Sequence, residues 1–106
     1  MSSDNPFDHS AIDDVIHGRL RLGIMAYLSA VSPATFSEVR EKVATSDGNL
    51  STHLKKLDEA GYVEIEKRFV GKRPQTRLHM TKTGRKAWVA WLAQMKRIMS
   101  TDGSQG

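Results

Sequence analysis

The segment from Ser46 to Val63 constrains the fold more than any other part of this chain. Its leucines Leu50, Leu54 and Leu57 follow the i, i+4, i+7 spacing of a single buried helical stripe. Small polar and basic side chains occupy the opposite arc, and a glycine follows the last helical residue. The spacing therefore predicts a short amphipathic helix over 48–60, with one face on a core and the other in solvent.

A cationic hairpin is predicted directly behind this helix. The β-type run from Tyr62 to Phe69 alternates apolar and charged residues, with Val63, Ile65 and Phe69 expected on the core side. Lys67 breaks that inner row, so we expect it where the core has run out. The sequence Gly71-Lys72-Arg73-Pro74 forms the turn to a second strand, Thr76 to Met80. Helix and basic hairpin together favour a winged helix.

The rest of the chain supplies the other elements of such a domain. A first helix is predicted from Ile12 to about Ala30, with apolar residues on two faces. Ala34-Thr35-Phe36 forms a short strand or an extended entry, and Thr35 or Ser37 caps a second helix through Ala44. Thr81 caps a final helix from Lys82 to about Met99. The predicted class is mainly α with a small β-hairpin (α+β), with a flexible arm over 1–10, one domain over 11–100 and a flexible tail over 101–106.

Charge is distributed unevenly along the chain. Residues 1–50 carry four Lys/Arg against seven Asp/Glu, a net of −3, whereas residues 51–86 carry ten against four, a net of +6. A basic surface of this kind suits a polyanion, because each phosphate contact by Lys or Arg releases condensed counterions. A solvated basic face is the alternative at this point.

Surplus apolar surface predicts a second copy of the chain. The last helix is roughly 27 Å long, more than a domain of this size needs to cover its own core. With the two-faced first helix, it provides the expected dimer interface: Ile16, Leu22, Met25, Trp88, Trp91, Leu92, Met95 and Ile98. A small-molecule pocket at the two tryptophans is the alternative.

Five blocks of the chain, in order, resemble the small winged-helix transcriptional regulators of the MarR/ArsR superfamily. They are residues 16–25, the segment 48–57, Ala60-Gly61-Tyr62-Val63, the turn Gly71-Lys72-Arg73-Pro74 and the segment 78–85. The resemblance spans about residues 12–99. It implies a homodimer with two recognition helices in successive major grooves of double-stranded DNA and with the wings on flanking backbone or minor groove.

Candidate DNA-binding residues lie on the helix over 48–60 and on the hairpin. Asn49, Ser51 and Thr52 occupy the first turns, where short side chains reach base edges, while Lys55 and Lys56 suit phosphates. His53 lies at the edge of the leucine stripe, and phosphate contact and a half-buried packing role both stay open. The wing candidates are Lys72, Arg73 and Arg77.

Other classes of function find little support in the sequence. The chain has no cysteine, and no two of its four histidines are spaced i, i+4 together with a carboxylate, so we expect no metal site and no cofactor. No nucleophile, base and orienting partner occur together, so an enzyme is not expected. The first residues show no basic or apolar leader pattern and no stretch approaches the length of a membrane span, so we expect neither export nor membrane insertion and predict a cytoplasmic protein. A protein-interaction module on the same scaffold is the alternative function, and the sequence identifies no effector ligand.

Overall fold

The structure is a computed structural model that describes residues 13–103. Within these residues the chain forms four helices and a three-stranded antiparallel sheet, which confirms the predicted α+β winged-helix fold. The elements in chain order are α1 (Arg19–Ala30), β1 (Ala34–Thr35), α2 (Phe36–Val43), α3 (Asp47–Glu59), β2 (Val63–Val70), β3 (Arg73–Met80) and α4 (Lys82–Gly103).

One hydrophobic core holds α1, α2, α3 and the sheet together. The three leucines of the α3 stripe are at most 2% exposed, as the helical spacing predicted. They meet Ile24 and Leu28 of α1, together with Leu78 of β3. Because each fully buried aliphatic side chain contributes about 1.5–3 kcal/mol, this cluster fixes the position of α3 on the domain.

The first helix is shorter than predicted and begins at Arg19. The backbone N–H groups of Val15 and Ile16 donate to the Asp13 carboxylate, and the N–H of His17 donates to the Asp13 carbonyl, which closes a separate turn. Gly18 follows with φ of 149°, a conformation that only glycine adopts readily, so the helix cannot extend back through it. The predicted start at Ile12 lies outside the described residues.

A tight helix-turn-helix positions α3. Thr35 caps α2 in a reciprocal capping box with Glu38, which settles the choice between Thr35 and Ser37. Ala44 ends α2 in the left-handed region with φ of 56°, and Ser46 caps α3 by accepting a hydrogen bond from the N–H of Asn49. Both helix ends therefore have local hydrogen bonds that fix the turn.

The hairpin is longer than predicted, because β3 begins at Arg73 and only two residues form the turn. Pro74 lies within β3 opposite Phe69, so its predicted place in the turn was wrong. The core does not extend this far along the strands, and Phe69 is 71% exposed. The prediction that Phe69 packs on the core was therefore also wrong.

The last helix is anchored at its first turn and is longer than predicted. Thr81 caps it, since its hydroxyl accepts from the N–H of Gly84 and donates to the carbonyl of Gly61 at 2.6 Å. The helix continues to Gly103, which places residues 101–103 in a helix rather than in the predicted tail. Within residues 13–103, no helix combines the length and apolar character needed to cross a bilayer.

Candidate nucleic-acid interface

The outer face of α3 is polar and exposed. Because its leucines point into the core, Asn49, Thr52 and Lys56 point to solvent. The Thr52 hydroxyl donates to the Gly48 carbonyl at 3.0 Å, so its oxygen is still available to accept a hydrogen bond, and the residue is exposed. This face offers short side chains near the helix start and a lysine one turn later.

Ser51 and Lys55 lie on a different side of α3, towards the hairpin. They line a shallow cleft of about 430 Å³ together with Lys67 and Thr76 of the sheet. The structure therefore divides five of the six α3 candidates between an outward face and a hairpin-facing edge, and the sixth, His53, contacts Arg21 of α1. It also brings Lys67, which was not among the candidate site residues, next to α3.

An ion pair not anticipated from the sequence links the two helices of the helix-turn-helix. The Arg40 guanidinium on α2 contacts the Asp47 carboxylate on α3 at 2.7 Å. The hydrogen bond to Asp47, followed by the negative charge of Asp47, raises the pKa of Arg40. Asp47 is a negative charge at the exposed start of α3, and the pair neutralises it where an anion would approach.

His53 is held by a second arginine. Arg21 Nη1 lies 3.0 Å from His53 Nδ1, and Arg21 Nε donates to the Val15 carbonyl at 2.7 Å. A guanidinium only donates, so Nδ1 must accept, which makes His53 a neutral ring protonated at Nε2. Burial, then the charges of Arg21 and Lys56, lower the pKa of His53 and favour this form. No local sequence pattern predicts this contact, because the two residues are 32 positions apart in the chain.

The outer half of the hairpin, residues 67–73, carries four cations and no acid: Lys67, Arg68, Lys72 and Arg73. Lys72 and Arg73 are exposed at the turn, as expected for a wing. We call residues 67–74 the wing tip, which includes Pro74. Its cations extend the basic surface of α3 away from the core.

Arg77 differs from the other wing candidates. It lies near the base of the hairpin, opposite Glu66, and its Nε donates to the Glu66 carboxylate at 3.1 Å. His79 Nε2 contacts the same carboxylate oxygen at 2.9 Å, and these two hydrogen bonds lower the pKa of Glu66. Arg77 therefore already has an anionic partner and lies outside the wing tip.

The expected dimer residues separate into two groups. Ile16 and Met25 are fully buried and Trp88 is 8% exposed, all within the core of the single chain. These three side chains offer little or no exposed surface to a second copy, so we remove them from the expected interface. The remaining residues are half-buried or exposed: Leu22, Trp91, Leu92, Met95 and Ile98.

Comparison with known proteins agrees with this architecture. Residues 20–99 match the family model described as winged helix DNA-binding domain. The chain belongs to this winged helix family. An uncharacterized protein of Methanocaldococcus jannaschii is 32% identical to it over 84 residues, which cover 79% of this winged-helix protein and 91% of the relative.

Solved structures show the same winged-helix fold. A transcriptional regulator homologue from Pyrococcus horikoshii OT3 superimposes with a TM-score of 0.77 at 28% identity, over 82% of this chain and 86% of that one. Staphylococcus aureus MarR, solved in complex with salicylate and kanamycin, gives a TM-score of 0.70 at 19% identity, over 85% of this chain and 58% of MarR. The winged-helix fold that the resemblance implied is thereby confirmed, and the similarity to MarR is a similarity of fold.

Proposed function

We propose that this winged-helix protein binds double-stranded DNA sequence-specifically, as a dimeric transcriptional regulator. In this proposal α3 enters the major groove, and the wing tip contacts flanking backbone or minor groove. The observation that carries the proposal is the exposed polar face of α3 beside a hairpin whose outer half carries four cations and no acid. Two contacts from neighbouring helices also hold α3 in place, Arg21 with His53 and Arg40 with Asp47. A basic face that only contacts solvent would not require α3 to be fixed in this way.

Individual roles follow from the geometry. Asn49 presents an amide that suits an adenine edge, and Thr52 presents a hydroxyl acceptor and a methyl group for a base amino group or a thymine methyl. Lys56 suits a phosphate. The Nε2–H of neutral His53 is a donor that suits a phosphate oxygen as well, since Arg21 fixes the tautomer from the other side of the ring.

The proposed dimer uses the outer side of α4. Val89, Leu92 and Met99 are 58%, 44% and 70% exposed, an unusual density of apolar surface on one helix. At 22 residues α4 is about 33 Å long. Paired helices of this length suit two domains whose recognition helices lie about 34 Å apart, the separation of successive major grooves.

The test begins with selection of bound fragments from random duplex DNA, followed by fluorescence anisotropy on the selected sequence and on an unrelated duplex. We expect Thr52→Ala to weaken binding to the selected duplex by about 1–3 kcal/mol and to leave the unrelated duplex unchanged. Arg73→Ala should weaken both duplexes by a similar factor and flatten the salt dependence by about one unit. Lys86→Ala, which removes an exposed lysine of α4, is the matched control and should leave the salt slope unchanged.

Two outcomes would contradict the proposal. Binding that is undetectable or independent of salt would exclude DNA as the partner. Equal affinity for unrelated duplexes would exclude sequence recognition and favour non-specific coating of DNA.

The exposed apolar face of α4 also favours a second candidate, a protein-interaction module. That function would be supported if wild-type protein bound no duplex and if Trp91→Ala abolished binding of a partner protein. Retention of the dimer and of DNA binding by Trp91→Ala would argue against any essential role of this face.

A further inference from the structure

Three apolar residues lie at the end of the hairpin, beyond the core. Phe69 is 71% exposed and Val70 is 50% exposed, and Pro74 lies directly opposite Phe69 in the register of the two strands. Single exposed apolar residues are common on protein surfaces. Here, however, a phenylalanine and a proline form a cross-strand pair, one pair away from a two-residue turn. Exposure of this pair forgoes the free energy that burial of a phenylalanine provides, about 1.5–3 kcal/mol.

The register shows which side of the sheet carries the pair. Side chains alternate along a strand, so Phe69 shares a face with Val63, Ile65 and Lys67. Ile65 and Lys67 line the cleft against α3. Phe69 and Pro74 therefore lie on the side of the sheet that α3 occupies, not on the opposite side.

The charges around this pair restrict the partner. The four cations of the wing tip lie within two residues of Phe69 or of Pro74 in the sequence, without an acid between them. A hairpin end that carries an exposed aromatic side chain on one face, with four cations distributed over its two faces and its turn, fits a polyanion with an apolar interior. Duplex DNA has this character in its minor groove, where phosphates border the groove and base stacks lie inside.

The length of the hairpin agrees with that position. From Ile65, where the core ends, the hairpin continues four positions to Phe69 and six positions to Gly71 at the turn, spans of about 13 Å and about 20 Å at the rise of a β-strand. A major groove and the next minor groove are separated by about half of the 34 Å helical turn, or about 17 Å. With α3 in the major groove, the wing tip reaches the neighbouring minor groove.

We propose that Phe69, supported by Pro74, is an apolar wedge that enters this minor groove and partly unstacks one base step. The wing then contributes sequence preference through the deformability of flanking DNA, in addition to its phosphate contacts. Pyrimidine–purine steps unstack most easily, so they are the expected target. This inference rests on the DNA-binding function proposed above and names how its wing recognises the flank.

The experiment randomises the base pairs that flank the selected core sequence and repeats the selection with wild type, Phe69→Ala and Phe69→Leu. Wild type should enrich TA or CA steps at one flanking position, Phe69→Ala should lose this enrichment, and Phe69→Leu should retain part of it. Energy transfer between dyes at the duplex ends should show a bend with wild type and a straighter duplex with Phe69→Ala. On the preferred flank Phe69→Ala should bind about 5- to 30-fold more weakly, with an unchanged salt slope because no charge is lost.

Val31→Ala is the matched control, because it truncates another exposed apolar residue, 36% exposed after the end of α1. It should retain enrichment, bend and affinity, and circular dichroism should show that all variants fold. Unchanged flank enrichment and bend in Phe69→Ala would overturn the wedge while leaving the proposed function intact. No duplex binding by wild type would instead contradict the proposed function. Binding of phosphatidylserine vesicles that Phe69→Ala abolishes, without any effect on DNA bending, would assign the wing tip to a membrane surface and also overturn the wedge.

Discussion

The start of α4 provides a sharp test of how the domain is assembled, through the substitution Gly84→Ala. Gly84 is buried where α4 crosses the backbone of Tyr62. A Cβ at this position would overlap the Tyr62 carbonyl oxygen and lie 2.9 Å from its carbonyl carbon. Carbon atoms in contact are usually about 3.5–4.0 Å apart, so α4 or the backbone at Tyr62 must move by more than about 0.5 Å.

The expected loss of stability follows from two costs and one gain. Overpacking against rigid backbone costs about 1–3 kcal/mol. The displaced Tyr62 carbonyl also accepts the N–H of Thr81 at 3.1 Å, and loss of that hydrogen bond costs about 1 kcal/mol. The better helix propensity of alanine returns at most about 1 kcal/mol. We therefore expect Gly84→Ala to lower the free energy of unfolding by about 1–3 kcal/mol.

Urea unfolding followed by circular dichroism measures this change. With a slope of about 1.5 kcal/mol/M, a loss of 2 kcal/mol moves the midpoint down by about 1.3 M. Gly48→Ala is the matched control, because a Cβ there meets nothing within 4 Å. It should leave the midpoint unchanged or raise it slightly. Equal midpoints for Gly84→Ala and wild type would refute the close packing of α4 on Tyr62.

Two further predictions concern titration. Because the pKa of His53 is lowered from its ordinary 6.5, the folded protein should lose stability as the pH falls below that value, and His53→Gln should flatten this loss in urea titrations between pH 8 and pH 5. The same slope in both proteins would show that Arg21 does not hold a neutral ring. For Tyr62, the hydrogen bond that its hydroxyl donates to Asp13, followed by burial, raises the pKa from 10.0 to about 12. The stability that this bond provides is present below pH 10 and lost towards pH 12. Tyr62→Phe should therefore be less stable than wild type at neutral pH and should lose less stability between pH 10 and pH 12. Parallel curves of unfolding free energy against pH for the two proteins would exclude a stabilising role of the bond to Asp13.

Local periodicity was sufficient to predict the helix-turn-helix. Leu50, Leu54 and Leu57 repeat with the helical period, and caps such as Thr35 mark where a helix begins. These signals depend on neighbours within a few positions of the chain. They determine the face of a helix and its ends without knowledge of its packing partners.

The wrong predictions have a common physical cause. Alternation along β2 continues past the point where the core ends, so the pattern alone placed Phe69 inside. Ile16 and Met25 are apolar on a two-faced segment, and the sequence does not say which apolar residues the chain buries by itself. The Arg21–His53 and Arg40–Asp47 contacts arise only once α1, α2 and α3 have packed together. Local sequence patterns therefore predicted the helices and strands themselves, but not the contacts between them.

Dimethyl sulfate protection on the selected duplex tests the central proposal most directly, because the reagent methylates guanine N7 in the major groove and adenine N3 in the minor groove. We predict protection of guanine N7 where α3 binds in each half-site, and protection of adenine N3 about half a helical turn away at the wing tip. Thr52→Ala should reduce the first protection selectively, and Phe69→Ala the second. A selected duplex with no protected guanine N7 in its core would contradict the placement of α3 in the major groove.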